Sequence, residues 1–140
     1  MNKTTRKQLM NLFMQQVWNE GNFSRLSDMV SPDYNVSQDD YDPWSGQVID
    51  HETFKQRVLY SRNAFPDLNF DVQEMAEGDD SVAIRWVMSG THTGDLPILP
   101  ATGRKFSIPG MTFYYFRDEK ICGHAQSFDQ FGFLKQMGVF

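Results

Sequence analysis

Asp129 stands where the last extended segment of the chain meets a closing helical one, in SFDQFGFL. A carboxylate at such a junction has two ordinary uses. It can cap the helix by accepting backbone N–H bonds, or it can serve as a general base where a curved sheet opens. In a regular strand Asp129 would share its face with Ile121, Gly123, Ala125 and Ser127, and the small members of that set leave room in front of it. His124, Gln126 and Phe128 would then point the other way, toward sheet packing or a subunit interface, which separates His124 from Asp129. Cap and base both stay open on this pattern.

Other chemistries find little support. There is no G-x-S-x-G elbow and no glycine-rich phosphate loop. Cys122 and His124 are two apart and would share a strand face, but cysteine is among the most buried residue types and Cys122 reads as structural. The histidines at 51, 92 and 124 are widely spaced, with no H-x-x-x-H pair. Asp39-Asp40-Tyr41-Asp42 lacks the Gly and Glu positions of a calcium loop and reads as a solvated loop. No metal site is expected.

The elements that must position Asp129 follow from periodicity. Leu9, Leu12, Phe13, Val17 and Trp18 recur at helical spacing, which predicts an amphipathic helix over 4–18 ended by Gly21. A short second helix over 23–30 and a third, N-capped by Asp50 and running to Pro66, come next. The period then changes to two. Leu68, Phe70 and Val72 alternate with polar residues, Glu77-Gly78-Asp79-Asp80 forms a hairpin turn, and the strand carrying Val82 to Met88 is apolar on both sides, as if covered on both faces. Strands over 106–116 and 121–128 and a helix over 130–137 complete the chain. Helices followed by strands predict an α+β fold with helices on one face of a curved antiparallel sheet. The stretches 38–50 and 89–104 fit no regular element, and connections of this length often rim a pocket.

Length and composition bound the rest. One hundred and forty residues make one domain over 1–140, and the 12 Phe, 5 Tyr and 3 Trp either fill its core or line a cavity within it. A net charge of −5 without any basic run argues against nucleic acid and against an anionic membrane surface as partners. With a single cysteine no internal disulfide forms, and no segment has the length of a leader or a membrane span, so a cytoplasmic protein is expected.

FPDLNF, EGDDSVAIRW, SGTHTGDLPILPATGRKFSIPGMTFYYF and SFDQFGFLKQMG, in that order after VWNEGNFSRLSDMVSPDY, resemble the SnoaL-like polyketide cyclases over nearly the whole chain. The resemblance implies a nuclear-transport-factor-2-like fold: a cone of curved antiparallel sheet, closed by helices around a deep pocket and usually dimeric. It implies an aspartate acid/base at the position of Asp129, which takes a proton from carbon next to an ester so that the enolate closes a ring, without metal or organic cofactor. Asn35 falls where such proteins place a polar pocket residue, and His92 and Tyr115 are further pocket candidates. Trp44, Phe54, Phe65, Trp86 and Phe113 fall on elements that would wall the cone. Two departures are plain: Ala125 where many relatives carry Trp, and NVSQDDYDPWSG where many carry a histidine-containing stretch.

The resulting expectation is an acid/base enzyme acting on a small, apolar, carbonyl-bearing molecule by aldol cyclisation, isomerisation or dehydration. The alternative is a non-catalytic ligand-binding or dimerisation module of the same fold. A homodimer is expected, with the face of His124, Gln126 and Phe128 as its contact.

Overall fold

The computed structural model describes residues 4–140. Helix α1 (Arg6–Phe13) is opened by a reciprocal cap between Thr5 and Gln8, and it widens into a π-helical turn, Met14–Asn19. Gly21 then takes a φ of +66°, the left-handed conformation that glycine adopts freely. Only Leu26–Met29 forms the second helix, α2. Helix α3 (His51–Ala64) starts at Asp50, whose side chain accepts from Thr53 N at 2.8 Å.

Six strands form one open sheet: β1 (Val30–Asp39), β2 (Val48–Ile49), β3 (Asn69–Glu77), β4 (Ser81–Thr91), β5 (Lys105–Arg117) and β6 (Lys120–Phe128), in the order β2-β1-β6-β5-β4-β3. All neighbours are antiparallel except β1 and β6, which run parallel, so the sheet is mixed where a purely antiparallel one was expected. The reason is β1 itself. Its sequence, VSPDYNVSQD, is largely polar and its pairing with β6 shifts register twice, so no alternation announces it as a strand. Helix α4 (Gln130–Gln136) closes the chain.

The core lies between the helices and the concave face of the sheet. Along β5 the alternation is strict: Phe106, Ile108, Gly110, Thr112, Tyr114 and Phe116 point inward, and Met111, Phe113 and Tyr115 point outward. In β4 the outward residue Arg85 is exposed, so that strand is covered on one face rather than two. Strand β6 departs from alternation. Tyr115 pairs with Gly123 and Phe116 with Ile121, which leaves Cys122 as an extra residue. An inserted residue exchanges the faces of everything beyond it. Ile121 and His124 are therefore both buried, and the face expected to serve sheet packing or a subunit interface turns into the concave side.

Candidate active site

A cavity of about 470 Å³ opens between the concave sheet face, α3, the start of α4 and the loops 40–47 and 92–104. Trp18, Phe65, Phe70, Trp86, Phe128 and Phe133 supply its apolar wall. Asp40, Tyr41, Asp42 and Pro43 line it from one loop, and Leu96, Pro97 and Ile98 from the other, so both irregular stretches do form a rim. Asp39, Tyr114 and Gln126 bring polar groups to the same space.

Asp39 ends β1 and is only 2 % exposed. Its Oδ2 receives three donors: Arg57 Nη2 at 3.2 Å, His124 Nε2 at 2.8 Å and Gln126 Nε2 at 3.3 Å. Its Oδ1 has one long contact, to Gln126 at 3.5 Å. Arg57, 4 % exposed, also donates from Nε to Asp42 Oδ2 at 2.7 Å, and its guanidinium lies 5.3 Å from the centre of the Trp18 ring. Burial opposes charge on Arg57, but Asp42, Tyr34 and Asp39 outweigh it and raise its pKa. A buried cluster of this kind is stable only while every charge keeps its partner.

The histidine in this cluster has a defined tautomer. Burial and the Arg57 charge push His124 below its ordinary value, against the hydrogen bond to Asp39. A neutral ring that donates from Nε2 to Asp39 must accept at Nδ1, and Tyr34 Oη stands 2.5 Å from Nδ1 to supply that proton. Tyr34 and Tyr114 are both raised, chiefly by burial, so both remain O–H donors. Tyr114 O–H approaches Met14 Sδ at 3.8 Å.

The residues singled out in the sequence are distributed unevenly around this site. Trp86 lines the cavity. Phe54 is fully buried beneath it, edge-on to Tyr34 with ring centres 4.8 Å apart. Trp44 is half-buried and packs edge-on against Tyr60, one layer behind the wall. His92 is buried behind Phe65 and accepts from Thr102 N at 3.3 Å, holding the base of loop 92–104. Asn35 is exposed, and Phe113 and Tyr115 lie on the convex face because β5 alternates without interruption. Asp129 is exposed and caps α4, accepting from Gly132 N at 2.8 Å, and it does not line the cavity. The strand-end position was right, but the face exchange at Cys122 gives the cavity to Gln126 and Phe128 instead.

Asp39, Asp42, Arg57, Tyr34, Tyr114, His124 and Gln126 were not anticipated as a group. Arg57 carried a signal: it sits three residues after Phe54 and just before Val58, within the apolar stripe of α3. Asp39 carried none, since an acidic run reads as solvated. Among the described residues no group of three His, Cys, Asp or Glu side chains is placed to hold a metal ion, and Arg57 occupies the middle of the acidic cluster.

Known proteins share this arrangement of elements. A solved structure of a candidate polyketide cyclase from Acidithiobacillus ferrooxidans superposes with a TM-score of 0.88 at 35 % identity, covering 99 % of each chain. IdmH of Streptomyces antibioticus, also a candidate polyketide cyclase, gives 0.77 at 26 % identity over 96 % of this chain and 99 % of its own. By sequence, the aklanonic acid methyl ester cyclase DnrD of Streptomyces peucetius is 26 % identical over 127 residues, spanning 89 % of this chain and 86 % of DnrD. AcmA of Streptomyces galilaeus, with the same described activity, is 27 % identical over 89 % of this chain and 85 % of its own. The model of the SnoaL-like polyketide cyclases matches residues 8–137, and the chain belongs to that family.

Proposed function

We propose that this protein is a cofactor-independent acid/base enzyme for a small, mostly apolar substrate bearing carbonyl groups, and that Asp39 carries the proton. One observation supports this above the rest: a buried carboxylate in the cavity wall has Oδ2 saturated by three donors and Oδ1 turned over to a single weak contact. Carboxylates are weak bases, so the carbon attacked would need activation, as between an ester and a ketone. Oδ1 takes the proton from that carbon. The enolate carbon then attacks a second carbonyl carbon of the same molecule, a C–C bond forms, and the resulting alkoxide recovers the proton from Asp39. Isomerisation or dehydration would use the same base. The cyclases DnrD and AcmA favour ring closure among these outcomes.

Binding without chemistry is the second reading, and the donor-saturated Oδ2 favours it to the extent that it ties Asp39 to the protein. Aklanonic acid methyl ester in D₂O separates the two. Wild-type protein should exchange or cyclise the probe, Asp39→Asn should be slower by at least about 100-fold, and Asp129→Asn should match wild type. Full activity in Asp39→Asn would overturn the assignment. A probe that raises the melting temperature without exchanging would favour the binding module.

A further inference from the structure

A one-way chain of hydrogen bonds crosses the floor of the cavity. Trp86 Nε1 lies 2.8 Å from Thr112 Oγ1, and Thr112 Oγ1 lies 2.8 Å from Gln126 Oε1. The indole nitrogen can only donate. Thr112 therefore accepts from Trp86 and donates its own proton to the amide oxygen of Gln126. The amide nitrogen is thereby turned toward Asp39, at 3.3 and 3.5 Å from the two carboxylate oxygens. An amide flipped the other way would set its oxygen against the carboxylate, which can only accept, and would leave the Thr112 proton without the amide oxygen. Thr112 is 1 % exposed, so water does not substitute for it in this relay.

The nitrogen of Gln126 carries two protons. One is directed at Asp39, and among the described residues the other has no hydrogen-bond partner. Gln126 is half-buried and lines the cavity beside the carboxylate. A neutral donor next to a base is what a substrate carbonyl needs as it gains negative charge.

We infer that Gln126 is the donor that holds the reacting carbonyl oxygen of the substrate, and that Thr112, relaying from Trp86, is the positioning residue that fixes its amide. This rests on the acid/base reading of Asp39 for its catalytic consequence, but the orientation of the amide stands apart from it. The ligand it selects has a ketone, ester or enolate oxygen within one carbon of the proton that leaves, so that a single molecule can meet Gln126 Nε2 and Asp39 Oδ1 together.

Two readouts on the intact protein test it, with aklanonic acid methyl ester as probe. In the first, the side-chain ¹⁵N–¹H pair of Gln126, assigned by its loss in Gln126→Leu, should shift when the probe is added. In Thr112→Val, which keeps the shape and removes the relay, that shift should vanish, and Thr112→Ser should restore it. In the second, Gln126→Leu and Thr112→Val should each lower kcat for exchange by about 10- to 1,000-fold, with KM changed far less and Thr112→Ser within about two-fold of wild type. The inference fails if the Gln126 amide shows no response to bound probe, or if Thr112→Val behaves as wild type in both readouts. It also fails if Thr112→Ser is as impaired as Thr112→Val, which would make the effect one of packing. A wild-type protein that binds the probe, shifts the Gln126 amide and exchanges nothing would sink the Asp39 reading while leaving the donor in place. Melting temperatures of the three variants identify any that are unfolded, and Gln126→Leu, at a half-buried site, keeps the test available in that event.

Discussion

His124 Nε2 lies 2.8 Å from Asp39 Oδ2, across a pair of parallel strands that begin and end the sheet-forming part of the chain. The contact exists because Cys122 is an extra residue in β6, which turns His124 inward, and because β1 delivers Asp39 to the same depth. Which side chains meet in this cavity is therefore set by register as much as by residue type.

The depressed pKa of His124 gives the folded state a pH dependence of known sign. Its folded value lies below the ordinary one near 6.5, so the unfolded chain takes up a proton first as pH falls. The stability tied to a neutral His124 is complete above that value and is lost as pH drops below it, at no more than about 1.4 kcal/mol per pH unit. Melts from pH 7 to 5 should therefore fall more steeply in wild type than in His124→Gln. Equal slopes would contradict the neutral ring.

Arg57→Met strands two carboxylates, one of them buried. Removing one partner from a buried ion cluster costs about 3–5 kcal/mol, readable as a shift in urea midpoint. Adding Asp39→Asn and Asp42→Asn to the same chain should recover part of the loss, since the uncompensated charges are then gone.

Asp129 offers the opposite case, an exposed carboxylate that caps α4. Asp129→Ala should lose about 1 kcal/mol of stability through the cap, and Asp129→Asn only a few tenths, because Asn caps about as well. Neither should alter the affinity of a ligand in the cavity. Calorimetric titration alongside denaturation checks both halves.

The convex face carries a ridge on β5, with Met111 53 %, Phe113 48 % and Tyr115 37 % exposed. Small residues flank it: Ser81 and Ala83 on β4, and Gly123, Ala125 and Ser127 on β6. Arg85 and Arg117 beside it already have partners in Glu74 and Asp33. A ridge between two shallow valleys is complementary to its own two-fold copy. We propose that the chain forms a homodimer that buries this ridge and not the His124 face, which is occupied within the subunit. Phe113→Lys should halve the mass seen by light scattering, and an unchanged dimeric mass would dismiss the ridge.

Much of this was legible in the residues. The N-cap Asp50, the turn at Gly21, the β3–β4 hairpin and both rim loops follow from local chemistry that tertiary contacts did not override. Strand β1 was not, because a polar segment with two register shifts has no period to detect. The site suffered most from one residue. Asp129 was placed correctly at a strand end, but an uninterrupted alternation through Cys122 assigns the wrong side chains to the cavity, and only pairing across the β5–β6 ladder reveals the extra residue. Arg57 and Asp39 look like surface charges until both elements are in place, since each is buried against the opposite charge of the other.

The parallel pairing of β1 with β6 also has a consequence in time. Asp39 and His124 are 85 positions apart, and the strand that joins them is the last the chain makes. Every earlier strand, and the helix carrying Arg57, can emerge and begin to pack before the histidine exists. The polar heart of the molecule is therefore closed late, by non-local contacts of the kind that slow folding. Until that moment the nascent chain holds Arg57 and Asp39 with two of their final neighbours missing, and the insertion of β6 between β1 and β5 completes both the sheet and the polar cluster.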